Sequence, residues 1–86
     1  MVLDVLRGDS QDYQAIQQLL RELRSSAGLR QQDLAERLSV PQSLVSKVET
    51  GERRLDMIET EAFCRAIGVT LQDFVSRLAE KRGTGA

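Results

Sequence analysis

The sequence predicts an all-α domain of five helices, on three observations. Apolar residues recur at i, i+3, i+4 and i+7 in several stretches, the spacing that lines one face of a helix. Gly28, Gly51 and Gly68 fall just past three of those stretches, where helices commonly stop. One Pro, one Tyr, two Phe and no Trp in 86 residues suit a compact helical fold better than a β sandwich.

The first helix is expected over residues 11–27. Ile16, Leu19, Leu20 and Leu23 form its inner stripe, Ser10 stands as N-cap, and Asp12 favours the positive helix end. The second, over 31–38, is short, with Leu34, Ala35 and Leu38 inward. The third is expected from about Pro41 to Thr50, with Val45 and Val48 inward. Pro41 fits at or just before the first helical position, where a missing N–H costs little. The fourth covers 57–67, with Asp56 as N-cap and Ile58, Ala62, Phe63, Ala66 and Ile67 as core. The fifth covers 71–82, where Leu71, Phe74, Val75 and Leu78 repeat the stripe. Thr70 with Asp73 three residues on resembles a capping box, with Asp in place of Glu. Residues 1–10 and 83–86 are expected to be flexible ends of this single domain.

A chain of 86 residues supports one modest core. No apolar run approaches the roughly 20 residues that span a membrane. Residues 1–10 lack the basic start and long apolar run of a signal peptide. The single cysteine, Cys64, excludes an internal disulfide and fits a reducing cytoplasm. Its place in the fourth helix suggests that it fills core space. With no His and one Cys the usual zinc sets cannot be built within one chain, so no metal or other cofactor is expected. The commonest general base is missing as well, which argues against an enzyme.

Twelve basic and thirteen acidic residues give a net charge of −1, where a nucleic-acid binder is often strongly basic. The distribution softens that objection. Residues 21–54 carry seven basic and five acidic side chains, and the acidic excess lies at the two ends. Salt screens exposed charges beyond about 8–10 Å, so local sign matters more than the total.

Two short helices joined by a few residues around Ser39 and Val40, the second closed by Gly51, form the local signature of a helix-turn-helix. Any small helical bundle has short loops, so the residues themselves must decide. They run Leu29-Arg30-Gln31-Gln32-Asp33-Leu34-Ala35, then Val45-Ser46-Lys47-Val48-Glu49-Thr50-Gly51-Glu52-Arg53-Arg54, then Ala66-Ile67-Gly68-Val69. In this order and spacing, residues 23–74 resemble the phage-repressor/Cro-like helix-turn-helix family, the xenobiotic-response-element (XRE) class of regulators.

That resemblance implies a five-helix lambda-repressor-like domain that binds a double-stranded DNA operator, with residues 31–50 as the reading unit. It also implies a homodimeric transcriptional repressor or autoregulator on an inverted repeat, whose half-sites lie about 34 Å apart. Carried onto this chain, Gln42, Ser43, Leu44, Ser46 and Lys47 would face the major groove. Gln42 can donate and accept at once, which suits adenine; Lys47 suits guanine; Leu44 can touch a thymine methyl. Gln31 would contact phosphate and brace Gln42, with Arg30, Arg53 and Arg54 as further phosphate contacts. Arg24 and Glu49 would form a structural ion pair. Leu71, Phe74, Val75 and Leu78 would supply the dimer interface.

The chain departs from the family at four points. Arg30 and Pro41 stand where Ser or Thr usually caps a helix, Ser39 where Gly usually turns the chain, and Leu55 where Pro is common. Two other readings remain open here. A protein-interaction module, or the antitoxin partner of a toxin, can use the same fold with weak or no DNA binding, and the acidic balance suits it. A small enzyme is the other, which the missing histidine disfavours.

Overall fold

The computed structural model describes residues 11–83, which fold into five helices with no strand among them. They are α1 (Gln11–Ser26), α2 (Gln31–Leu38), α3 (Gln42–Thr50), α4 (Met57–Ile67) and α5 (Leu71–Arg82). The expected N-cap Ser10, the rest of the N-terminal segment and residues 84–86 lie outside the described residues. Gly83, expected in the tail, caps α5.

α2 packs on α3, and α1 lies against both α3 and α5. α4 bridges α2 and α5, so all five helices surround one core. Leu19, Leu20 and Leu23 enter it from α1, Leu34 and Ala35 from α2, and Val45 and Val48 from α3. Phe63, Cys64 and Ile67 come from α4 and Phe74 from α5. Removing this apolar surface from water is the main force holding the helices together, at roughly 25 cal/mol per Å².

α4 buries part of the expected stripe, with Phe63 and Ile67 in the core and Ala66 packed against it, but Ile58 and Ala62 turn outward. Its inner row runs through Thr60, Phe63, Cys64 and Ile67, while Ile58 is 74% exposed and Ala62 is also exposed. The reason is local: Thr60 takes the first inner place, with its hydroxyl donating to the Asp56 carbonyl at 2.7 Å. A polar residue there is silent to a search for apolar spacing. Asp56 and Glu59 form the complete capping box that starts this helix, with bonds of 2.7 and 3.0 Å. Thr70 caps Asp73 N–H at 3.0 Å, but the Asp73 carboxylate turns to Arg77 instead of back to the cap. Half of the expected box is therefore present at α5.

The turn between α2 and α3 shows how the departures from the family are absorbed. Arg30 has no acceptor to offer α2, so Asp33 supplies the reciprocal bond, accepting from the Arg30 backbone N–H at 2.8 Å. Pro41 sits just before α3 in an extended conformation, which a ring-locked φ of −65° allows. Ser39 adopts the left-handed conformation at φ 58°, the one described non-glycine residue with positive φ. Its N–H closes α2 on the Glu36 carbonyl at 3.2 Å. A Cβ in this region costs about 1–2 kcal/mol. Ser39→Gly should raise the unfolding free energy by about 0.5–1 kcal/mol, after the extra chain entropy of glycine is subtracted. A urea midpoint that falls or stays put would contradict strain at this turn.

Candidate nucleic-acid interface

α3 divides cleanly by face. Val45, Val48 and Glu49 point into the molecule, and Gln42, Ser43, Lys47 and Thr50 point to solvent. Ser46 is half-buried on the outer side. None of Gln42, Ser43, Ser46 and Lys47 has a side-chain hydrogen bond or ion pair among the described residues. The helix ends at Gly51, where the backbone carbonyl of Lys47 accepts from the N–H groups of Glu52 and Arg53 at 2.9 and 3.1 Å. Gly51 has φ 87°, the left-handed conformation that favours glycine, and the end of the flexible Gln17 side chain fills the space beside it.

Leu44 does not share the open face. It is half-buried and packs against the core beside Val40 and Leu55, so only its edge is free for a ligand. At i+3 from Pro41 it falls on the flank of α3 that turns toward α4, which the apolar character of its neighbours fixes.

The inner face holds the polar anchor of the unit. Glu49 is 2% exposed and is gripped by Arg24 through two bonds, Nε to Oε2 at 2.6 Å and Nη2 to Oε1 at 3.0 Å. Arg24 Nη1 also donates to the Leu29 carbonyl at 2.7 Å, tying the α1–α2 turn to the same charge. Arg21 adds a bond from Nη2 to the backbone carbonyl of Glu49 at 3.0 Å. Gln31 Nε2 donates to Glu49 Oε1 at 3.0 Å. The expected brace from Gln31 to Gln42 is therefore replaced: the Gln31 amide turns inward to a buried carboxylate, the stronger acceptor. No buried side-chain polar atom among the described residues lacks a partner.

Of the arginines expected to contact phosphate, Arg30 and Arg54 are exposed and Arg53 is half-buried, and all three are occupied. Arg30 pairs with Asp33 at 3.0 Å, and this bond, joined by the backbone one, holds the Asp33 carboxyl down at about 2. Arg53 pairs with Glu59 at 2.8 Å and lowers that carboxyl too. Arg54 lies over the Tyr13 ring, 4.3 Å from its centroid, a cation–π contact. The roles of Arg21 and Tyr13 were invisible in sequence, because both partners sit far along the chain.

The α5 stripe expected at a dimer interface is turned mostly toward the protomer's own core. Phe74 is 2% exposed and belongs to the protomer's own core, while Leu71 and Leu78 pack against that core as well. Val75 alone of the four is exposed. A terminal helix in so small a domain must spend its apolar face on the single core available.

A pair of short helices meeting across a tight turn, the second presenting a polar face over a buried ion pair, defines a helix-turn-helix unit. The Helix-turn-helix domain family matches residues 18–78. A solved XRE-family like protein from Pseudomonas syringae pv. tomato str. DC3000 is 46% identical, with 92% of this chain and 94% of that chain covered at a TM-score of 0.80. The wild-type restriction-modification controller protein C.Esp1396I shares the fold at 20% identity, with 85% and 94% covered and a TM-score of 0.79. A single-residue mutant of that controller aligns at 19% identity, 90% and 98% coverage, and a TM-score of 0.80. No curated protein matches the chain. The chain belongs to the XRE family of helix-turn-helix proteins, a non-enzymatic family of DNA-binding transcriptional regulators.

Two outcomes follow from this geometry. Glu49→Ala leaves Arg24 charged, partly buried and unpaired, and should cost about 3–5 kcal/mol in urea unfolding. Replacing the pair together, Arg24→Met with Glu49→Leu, should cost clearly less; an equal loss would deny the pair this role. The second concerns Asp33. Its folded value lies below the ordinary 3.8, so the charged carboxylate stabilises the fold above that pH and ceases to do so as pH falls toward about 2. In NMR, Arg30→Ala should move the Asp33 midpoint up toward 3.8, and an unmoved midpoint would refute the assigned cause.

Proposed function

We propose that this protein is a transcriptional repressor or autoregulator that acts in the cytoplasm as a homodimer on an inverted-repeat operator. The observation that carries the reading is the free polar face of α3, seated on a buried ion pair. Gln42 offers donor and acceptor together to adenine, Lys47 offers a cation to guanine, and Ser43 and Ser46 offer hydroxyls to base edges. Leu44 can add only an edge contact with a thymine methyl. Arg30, Gln31, Arg53 and Arg54 ring the unit and are the candidates for phosphate, which sets register without reading sequence.

Sites selected from random DNA supply the target for the test. Gln42→Ala and Lys47→Ala should each weaken binding to the selected site by about 1–3 kcal/mol. Arg53→Ala and Arg54→Ala should weaken selected and random DNA alike. Affinity should also fall steeply with added salt, because phosphate contacts release counterions. Retained binding in both α3 variants, with the domain folded, would reject the reading. Absence of any salt-sensitive DNA binding would favour a protein-interaction module instead.

A further inference from the structure

Of the three arginines expected at phosphate, Arg54 is held in a different way from the others. Arg30 and Arg53 each bind a carboxylate, Asp33 and Glu59, which cancels their charge. Arg54 lies over the Tyr13 ring, with Cζ 4.3 Å from the centroid. A neutral ring attracts a guanidinium through its π face and leaves the positive charge in place.

The fold prepares both partners for this contact. Residues 51–56 leave α3 and belong to no helix. Their start hangs on the Lys47 carbonyl, and their end on the Asp56–Glu59 capping box. Between these anchors Leu55 packs against the core, and Arg53 Nη1 donates to the Arg54 carbonyl at 3.2 Å. The Arg54 side chain itself is exposed. Tyr13 is half-buried in the first turn of α1, beside Ile16 and Leu78. Its neighbour Asp12 accepts from Arg82 of α5 at 3.0 Å, which ties that turn to the last helix. A long exposed side chain has many rotamers, and a fixed ring favours those that set the guanidinium above it.

Resting on the reading that the protein contacts DNA through α3 and the arginines around it, we propose that Tyr13 is a positioning residue for DNA binding: its ring holds Arg54 in place for a phosphate. An arginine that takes hold of phosphate loses rotamer freedom, and that loss weakens binding. Where the stack has already restricted the side chain, less remains to be lost. The ring offers no acceptor oxygen, and phosphate is bound by N–H groups at the guanidinium edge, so the anion adds to the stack instead of replacing it. The first turn of α1, outside the helix-turn-helix unit, thereby acts on DNA affinity without touching DNA.

Substitutions in the full chain test this by DNA affinity, with circular dichroism to establish folding. Arg54→Ala should weaken selected and random DNA alike and lower the salt dependence by about one phosphate contact. Tyr13→Leu should weaken both DNAs by about two- to five-fold, the worth of an exposed cation–π contact, and leave the ratio between them unchanged. Tyr13→Met takes its place if the leucine variant does not fold. Tyr13→Phe keeps the ring and should bind within about two-fold of the parent. In the Arg54→Ala background Tyr13→Leu should have no further effect. The stack is also read without DNA, as the ring-current shift of the Arg54 side-chain signals in NMR, which Tyr13→Phe should keep and Tyr13→Leu remove. Parent-like binding by Tyr13→Leu, a Tyr13→Phe variant as weak as Tyr13→Leu, a changed ratio between the DNAs, or additive losses in the double variant would each overturn the inference. Lys47→Ala judges the α3 reading separately. If it weakens binding and Tyr13→Leu does not, this inference alone fails. If it binds as the parent does while the Tyr13 and Arg54 effects hold, the α3 reading alone fails. A parent without salt-sensitive DNA binding rejects both.

Discussion

The buried carboxylate of Glu49 is the constraint on which the rest of this structure depends. A charge with almost no access to water must be compensated, and the compensation comes from two other helices at once. Arg24 reaches it from α1, Gln31 from the start of α2, and the carboxylate itself belongs to α3. The hydrophobic core packs these helices but is not directional. The ion pair is directional, and it sets how α3 is rotated about its axis. With Glu49, Val45 and Val48 turned in, helical periodicity leaves Ser43, Lys47 and Thr50 turned out.

The capping arrangements serve the same end. Neither helix of the reading unit starts with a side-chain cap, since Arg30 carries no acceptor and Pro41 no donor or acceptor beyond its carbonyl. α2 recovers a bond by reaching back from Asp33. α3 recovers none, and its start is fixed instead by the proline ring and by the left-handed Ser39 two residues earlier. The turn is thus held by restricted torsions more than by hydrogen bonds. Such a turn costs strain in the fold but leaves few alternative conformations to search.

Much of this was legible in the sequence because local physics decided it. The stripe in α1, the pair Val45 and Val48, the box at Asp56 and the stop at Gly51 need only nearest neighbours along a helix. The fold and the family were recoverable from those features and from the ordered motifs between Leu29 and Val69. What sequence did not reveal was which of two apolar flanks a helix buries. Ile58 and Ala62 read as core because Thr60 hid the true inner row, and Phe74 and Val75 looked alike until tertiary packing separated them. Gln31 is the same case in polar form: its sequence neighbourhood points outward, while its partner Glu49 lies eighteen residues away. Each miss is a choice made by the tertiary fold between locally equivalent options.

The surface charges carry the last step. Around the reading unit the surface arginines are already engaged: Arg30 with Asp33, Arg53 with Glu59 and Arg54 with the Tyr13 ring. Lys47 remains as the cation of α3 without a described partner. For Arg30 and Arg53, contact with phosphate must therefore compete with existing pairs, and each exposed pair given up is worth only about 0–1 kcal/mol. That exchange is nearly neutral in energy, and the net gain for one protomer on DNA is small. Small gains add when two protomers are joined, because the second half-site is then bound from a high effective concentration. On the proposed dimeric reading, a regulator of net charge −1 would reach useful affinity by coupling two modest, well-oriented faces, and the spacing between them would determine the operator as much as the side chains on α3.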